Sequence, residues 1–127
     1  MKVKFLAVND APGYALSGEI ITTNGDSFDL SVIQEGGAFV PNEGTQAIQL
    51  RDAYRDNGEL YVTLGQMPPV TKVTYIVEGK PVTLSPADEA PEVYTNKIEH
   101  RGGNWRESDW IDAASYDPGT LYIQEVV

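Results

Sequence analysis

The 127-residue chain contains no cysteine. That excludes disulfides, thiolate nucleophiles, iron–sulfur clusters and every cysteine-ligated zinc site. Such a chain suits a reducing compartment, and the cytoplasm is the expected location. Histidine occurs once, as His100. A two-histidine zinc site or a facial metal triad needs more imidazoles than that, although one histidine can still serve as a general base. Long apolar runs are missing. Near the N-terminus Phe5-Leu6-Ala7-Val8 stops at Asn9-Asp10, too short for the core of a signal peptide. Nothing elsewhere approaches a membrane span, so no membrane partner is expected.

Positive charge is scarce. Nine Lys and Arg face 19 Asp and Glu, a net charge of −10. An acidic surface repels phosphates, so direct nucleic-acid binding is not expected. The charge is even along the chain: net −4 over residues 1–50, −3 over 51–100 and −3 over 101–127. Even spreading reads as solubility. A sharper alternative is an acidic inhibitor of a basic, nucleic-acid-handling protein.

Catalytic signatures are also lacking. No G-x-S-x-G elbow, phosphate-binding loop or dinucleotide fingerprint occurs. With 19 carboxylates some pair must lie at glycosidase-like separation, so such a pair is uninformative. Asp109, Asp112 and Asp117 do not match the spacing of a calcium loop. No metal and no cofactor are expected.

What the chain does hold is turn chemistry followed by alternating apolar residues. Asn24-Gly25 precedes Phe28, Leu30 and Val32; Asp56-Asn57-Gly58 precedes Leu60, Val62 and Leu64; Glu78-Gly79 precedes Val82 and Leu84; Asp117-Pro118-Gly119 precedes Leu121 and Ile123. Asn-Gly suits a two-residue hairpin turn, which needs φ > 0 at both central positions. The period of two puts the apolar residues on one face of a strand. Further strands are expected over Lys2–Val8, Gly18–Thr23, Lys72–Val77, Glu92–Glu99 and Thr120–Val126. Gln34–Gly44 and Ser85–Glu92 read as irregular, and Pro68-Pro69 as a stop.

Two segments invite a helix. Thr45–Arg55 fits a helix with Thr45 as N-cap, or a strand paired with Glu59–Leu64 across Asn57-Gly58, and the turn chemistry favours the hairpin. Asn104–Tyr116 is the better helix, with Asn104 and Glu107 spaced as a capping box and Pro118-Gly119 as the stop. The expected fold is a single mainly β domain over residues 1–127. It is an antiparallel β-sandwich or partly open barrel of about six to nine strands, with at most one or two short helices.

One segment concentrates unusual side chains. Lys97–Trp110 holds His100, Arg101, Gly102, Gly103, Trp105, Arg106 and Trp110, including both tryptophans. Gly-Gly lets backbone N–H groups converge on an anion, two arginines can fork onto carboxylate or phosphate, and an indole can stack a ring. The alternative is a loop whose tryptophans plug the core and whose arginines answer nearby acids. These seven residues are the candidate ligand-binding set. The expected function is a non-enzymatic protein-binding or assembly module whose partner is another protein. A small-ligand or anion-binding domain, or an enzyme, using Lys97–Trp110 is the alternative.

Overall fold

Val3 and Phe5 alternate with Lys2 and Lys4 in the first strand, and that period assigns its two faces: both apolar residues are fully buried. The structure, a computed structural model, describes residues 1–37 and 39–126; Ala38, inside the irregular segment Gln34–Gly44, and Val127 lie outside the described residues. The order is β1 (Lys2–Ala7), β2 (Ala15–Ser17), β3 (Ile20–Thr23), β4 (Asp26–Asp29), α1 (Glu43–Ala47), β5 (Leu50–Asp56), β6 (Glu59–Gln66), β7 (Val70–Val77), β8 (Lys80–Leu84), β9 (Asn96–Arg101), β10 (Trp105–Arg106), β11 (Ile111–Asp112) and β12 (Gln124–Glu125). The fold is mainly β, with several antiparallel sheets and no closed barrel. Among the described residues no helix is long and apolar enough to cross a membrane.

Three of the four turns form as their sequences dictate. Asn24-Gly25, Asn57-Gly58 and Glu78-Gly79 have φ of 52° and 80°, 50° and 79°, and 51° and 77°. Each closes a hairpin, with Thr23 opposite Asp26, Asp56 opposite Glu59 and Val77 opposite Lys80. Positive φ at both central residues matches the right-handed strand twist. The fourth turn closes differently. Thr120 N–H donates to the Asp117 carbonyl at 3.0 Å, but the strand expected over Thr120–Val126 shrinks to Gln124–Glu125. The Gln66 side chain is the reason: its Oε1 accepts from the N–H groups of Tyr122 and Ile123, the bonds a sheet partner would otherwise make. The strand expected from Glu92 likewise begins only at Asn96.

The helix expected over Asn104–Tyr116 does not form. Trp105–Arg106 pairs with β12, Ile111–Asp112 pairs with the edge of β1, and only Ala113–Ser115 makes a 3₁₀ turn. Ser108 fixes the segment between them. Its N–H donates to the Phe5 carbonyl at 2.8 Å and its Oγ accepts from the Phe5 N–H at 2.9 Å. The free edge of β1 outweighs a local capping pattern. The Thr45–Arg55 ambiguity resolves by division. A one-turn helix precedes the hairpin, and its N-cap is Asn42 rather than Thr45, with the two side chains exchanging bonds to each other's backbone N–H.

The main sheet runs β11-β1-β6-β5. β1 and β6 are parallel, the exception in an otherwise antiparallel chain. Its inner face packs on the β2-β3-β4 sheet around Val3, Phe5, Ile21, Leu50, Leu60 and Leu64. Burying each such side chain contributes about 1.5–3 kcal/mol. The Tyr14 hydroxyl lies 2.8 Å from the Ile48 carbonyl and 2.9 Å from that of Gly65, and burial pushes its phenol far above the usual range.

The β8-β7-β9 sheet is separate. Among the described residues none from 70–101 belongs to this core. Val73 and Tyr75 are buried outside that cluster, and the loop between β8 and β9 sets Tyr94 edge-on over Tyr75 at 4.8 Å. The molecule is thus a body of two larger sheets and the short β10-β12 pair, carrying a three-stranded arm. At the arm's root the Arg101 guanidinium donates to the Pro68 carbonyl at 2.9 Å.

Candidate functional site

The segment from Lys97 to Trp110 leaves the arm along β9 and enters the body through β10, and this path disperses the candidate residues. His100 lies on the arm, its Nε2 2.8 Å from Thr74 Oγ1. Arg101 lines a cleft of about 250 Å³ with Phe5, Tyr14, Gln66, Tyr116 and Leu121. The Gly102-Gly103 loop is closed by Trp105, whose indole N–H donates to the Gly102 carbonyl at 2.8 Å. A Cβ on Gly103, at φ +102°, would stand 2.9 Å from that nitrogen, so the tight turn and the indole fit each other. Trp105 is half-buried against the core, and Arg106 is exposed. Trp110 lies elsewhere, on the outer face of the main sheet. The path thus sets His100 on the arm, Arg101 at the cleft, Trp105 against the core and Trp110 on the outer face of the main sheet.

Trp110 instead joins residues that sequence reasoning missed. Ala53 and Val62 pair across the β5–β6 hairpin and point into the core, so the next pair, Tyr54 and Tyr61, points out. Their rings stack with centroids 5.2 Å apart and planes at 14°. Trp110 meets Tyr61 edge-on at 5.1 Å. The Lys4 ammonium stands 4.9 Å from the Trp110 ring centroid and 2.8 Å from the Glu107 carboxylate. Beside it Lys2 bonds Asp112 at 2.6 Å, which holds that carboxyl below its usual range. Tyr54 and Trp110 remain 39% and 36% exposed, enough for a partner to cover. The signal was available: positions 54 and 61 lie symmetrically about Asn57-Gly58, and a two-residue turn makes them a cross-strand pair.

Chemically this face offers three ring surfaces and two ammoniums, Lys2 and Lys4, each paired with a carboxylate. Among the described residues no three His, Asp or Glu side chains stand where they could share a metal ion. Two of the three aspartates that lack calcium-loop spacing are engaged within the chain. Asp112 pairs with Lys2, and Asp117 accepts from Gly119 N–H and the Thr120 hydroxyl. Comparison with protein families, with curated proteins and with solved structures gives no match to this chain.

Proposed function

We propose that the chain is a non-enzymatic protein-binding or assembly module, and that its partner surface is the aromatic outer face of the main sheet. The observation that carries this is the contact row Tyr54–Tyr61–Trp110, with Tyr54 and Trp110 exposed, on the outer face of the main sheet. Tyrosine and tryptophan anchor interfaces because they bury a large apolar area at a small cost in rotamer entropy. An enzyme site needs concavity and convergent polar groups, and the cleft at the arm's root has Arg101 as its one charged lining residue among the described residues. The lack of cysteine is the ground for placing this module in the cytoplasm.

The test is affinity capture from source lysate with the wild type, Tyr54→Ala and Trp110→Ala. Both residues are surface-exposed, so the variants should fold. A bound protein retained by the wild type should be weakened by about 2 kcal/mol or more in each variant. Identical capture by all three baits counts against the reading.

Arg101 favours a second reading, an anion site in the cleft. Its guanidinium lies with Gln66 and Thr120 along the lining. Phosphate or citrate would then raise the melting temperature more than chloride at equal ionic strength, and Arg101→Gln would remove the difference. Equal effects of the three anions on the wild type would dismiss it.

A further inference from the structure

The open face of the arm has a charge unlike that of the body. In β7 the residues alternating with buried Val73 and Tyr75 are Lys72, Thr74 and Ile76. Opposite them stand Thr83 and Pro81 of β8, and Asn96 and Ile98 of β9. His100, opposite Lys72, completes the face and bonds the central Thr74, which also bonds Thr83 at 2.9 Å. This face has no carboxylate, in a chain with 19. Ile98 is 43% exposed at its middle. On the opposite side of the sheet the loop between β8 and β9 sets Tyr94 over Tyr75.

The body is the complement. Outside residues 70–101 the chain has 14 acids against five bases, net −9. On the aromatic face Asp52 and Asp56 share the outward side of β5 with Tyr54, and Glu59 stands opposite Asp56. Two arms docked on each other would set Lys72 against Lys72, with no carboxylate on either face to answer it. The aromatic face also carries Lys2 and Lys4, each answered by its own carboxylate, Asp112 and Glu107, and the N-terminal ammonium answers Glu59. Asp52 and Asp56 are thus the carboxylates left for Lys72 of a second molecule's arm, whose Ile76 and Ile98 would lie on the rings.

We infer that the open face of the arm docks on the aromatic face of a second copy of this chain, arm to body. The inference rests on the aromatic face being a protein-binding surface, and it adds the identity of the partner. The contact is heterologous, so it makes rings or open chains unless two copies exchange arms and close as a dimer.

Molar mass in solution tests it on the full chain. The wild type should exceed its 13.9 kDa monomer mass, increasingly with concentration and less at high salt. Ile98→Glu on the arm and Tyr54→Glu on the body should each give monomers. An equimolar mixture of the two should then give a species of twice the monomer mass, because the intact arm of one still fits the intact face of the other. Lys72→Glu serves as the arm variant if Ile98→Glu loses its circular dichroism. A wild type that stays monomeric to about 1 mM, the weak end of specific association, overturns the inference. So does a mixture that stays monomeric. A monomeric wild type that captures another protein through Trp110 overturns the second-copy partner and leaves the binding reading standing. Self-association that Ile98→Glu abolishes and Tyr54→Glu does not overturns the aromatic face as the seat.

Discussion

Arg55 ties the two sheets of the body together at their margin. Its Nη1 and Nη2 each donate to the Glu19 carboxylate at 2.9 Å, its Nε donates to the Ile33 carbonyl at 2.7 Å, and Nη1 also reaches the Gly58 carbonyl at 3.0 Å. The fork geometry is what a guanidinium supplies and an ammonium does not, so Arg55→Lys should lower the melting temperature nearly as far as Arg55→Met. The guanidinium also holds the Glu19 carboxyl below its usual range. A depressed folded-state value stabilises the fold above the unfolded carboxylate's pKa of about 4.3, and that contribution fades as pH falls through the lower folded value. Glu19→Gln should therefore cost most at pH 7 and progressively less in acid, read from thermal melts between pH 7 and pH 3. A gap between variant and wild type that ignores pH would contradict the assignment. Three residues after Arg55, Gly58 sits at φ +79° with open space around its Cβ position, so only backbone strain opposes a side chain there. Gly58→Val should destabilise by about 1–3 kcal/mol in denaturant titrations, and unchanged stability would mean that the turn had re-formed in another way.

At the scale of elements, the hairpins are legible locally, and pairings with distant partners are not. Asn24-Gly25, Asn57-Gly58 and Glu78-Gly79 encode their hairpins because turn residues and strand period lie within a dozen positions of one another. The parallel pairing of β1 with β6 joins residues about sixty positions apart and leaves no local mark. The same distant strand explains the false helix. Asn104 and Glu107 have capping-box spacing, but Phe5 offers both backbone groups to Ser108, and those bonds hold the segment extended. The candidate site was half legible for a related reason. Lys97–Trp110 stands out by composition, yet the chain crosses from arm to body inside it, so neighbours in sequence part in space. Trp110 then finds Tyr61, a partner fixed by the β5–β6 register. Tryptophan fluorescence separates the two indoles. Trp110→Phe should leave an emission that acrylamide quenches poorly, from half-buried Trp105 with its N–H bonded to Gly102. Trp105→Phe should leave one that it quenches readily, and equal quenching in both variants would show that the outer face is covered.

Across the whole molecule, charge that is even along the chain becomes uneven in space: the body has net −9, and the arm's open face has no carboxylate. The same boundary divides the hydrophobic core. The body's buried cluster draws nothing from residues 70–101, and the arm buries little beyond Val73, Thr74 and Tyr75. Cooperative stability follows buried apolar contact, so the body should unfold as one unit and the arm should open at lower free energy. The root permits a direct test, because Val70 pairs with Arg101 and the chain enters and leaves the arm at adjacent points. Replacing residues 70–101 with a short Gly-Ser linker should give a body that still melts cooperatively. Leu64→Ala, which empties a fully buried position in β6, should cost the excised body about 2–5 kcal/mol, as it does the full chain. In hydrogen exchange of the full chain, amides of β7–β9 should exchange ahead of those of β1 and β6. An excised body that loses its cooperative melt, or arm amides as protected as those of β6, would show that the arm is a stabilising part of one unit. In that case its exposed face would owe its composition to folding, and the case for a docking surface would weaken with it.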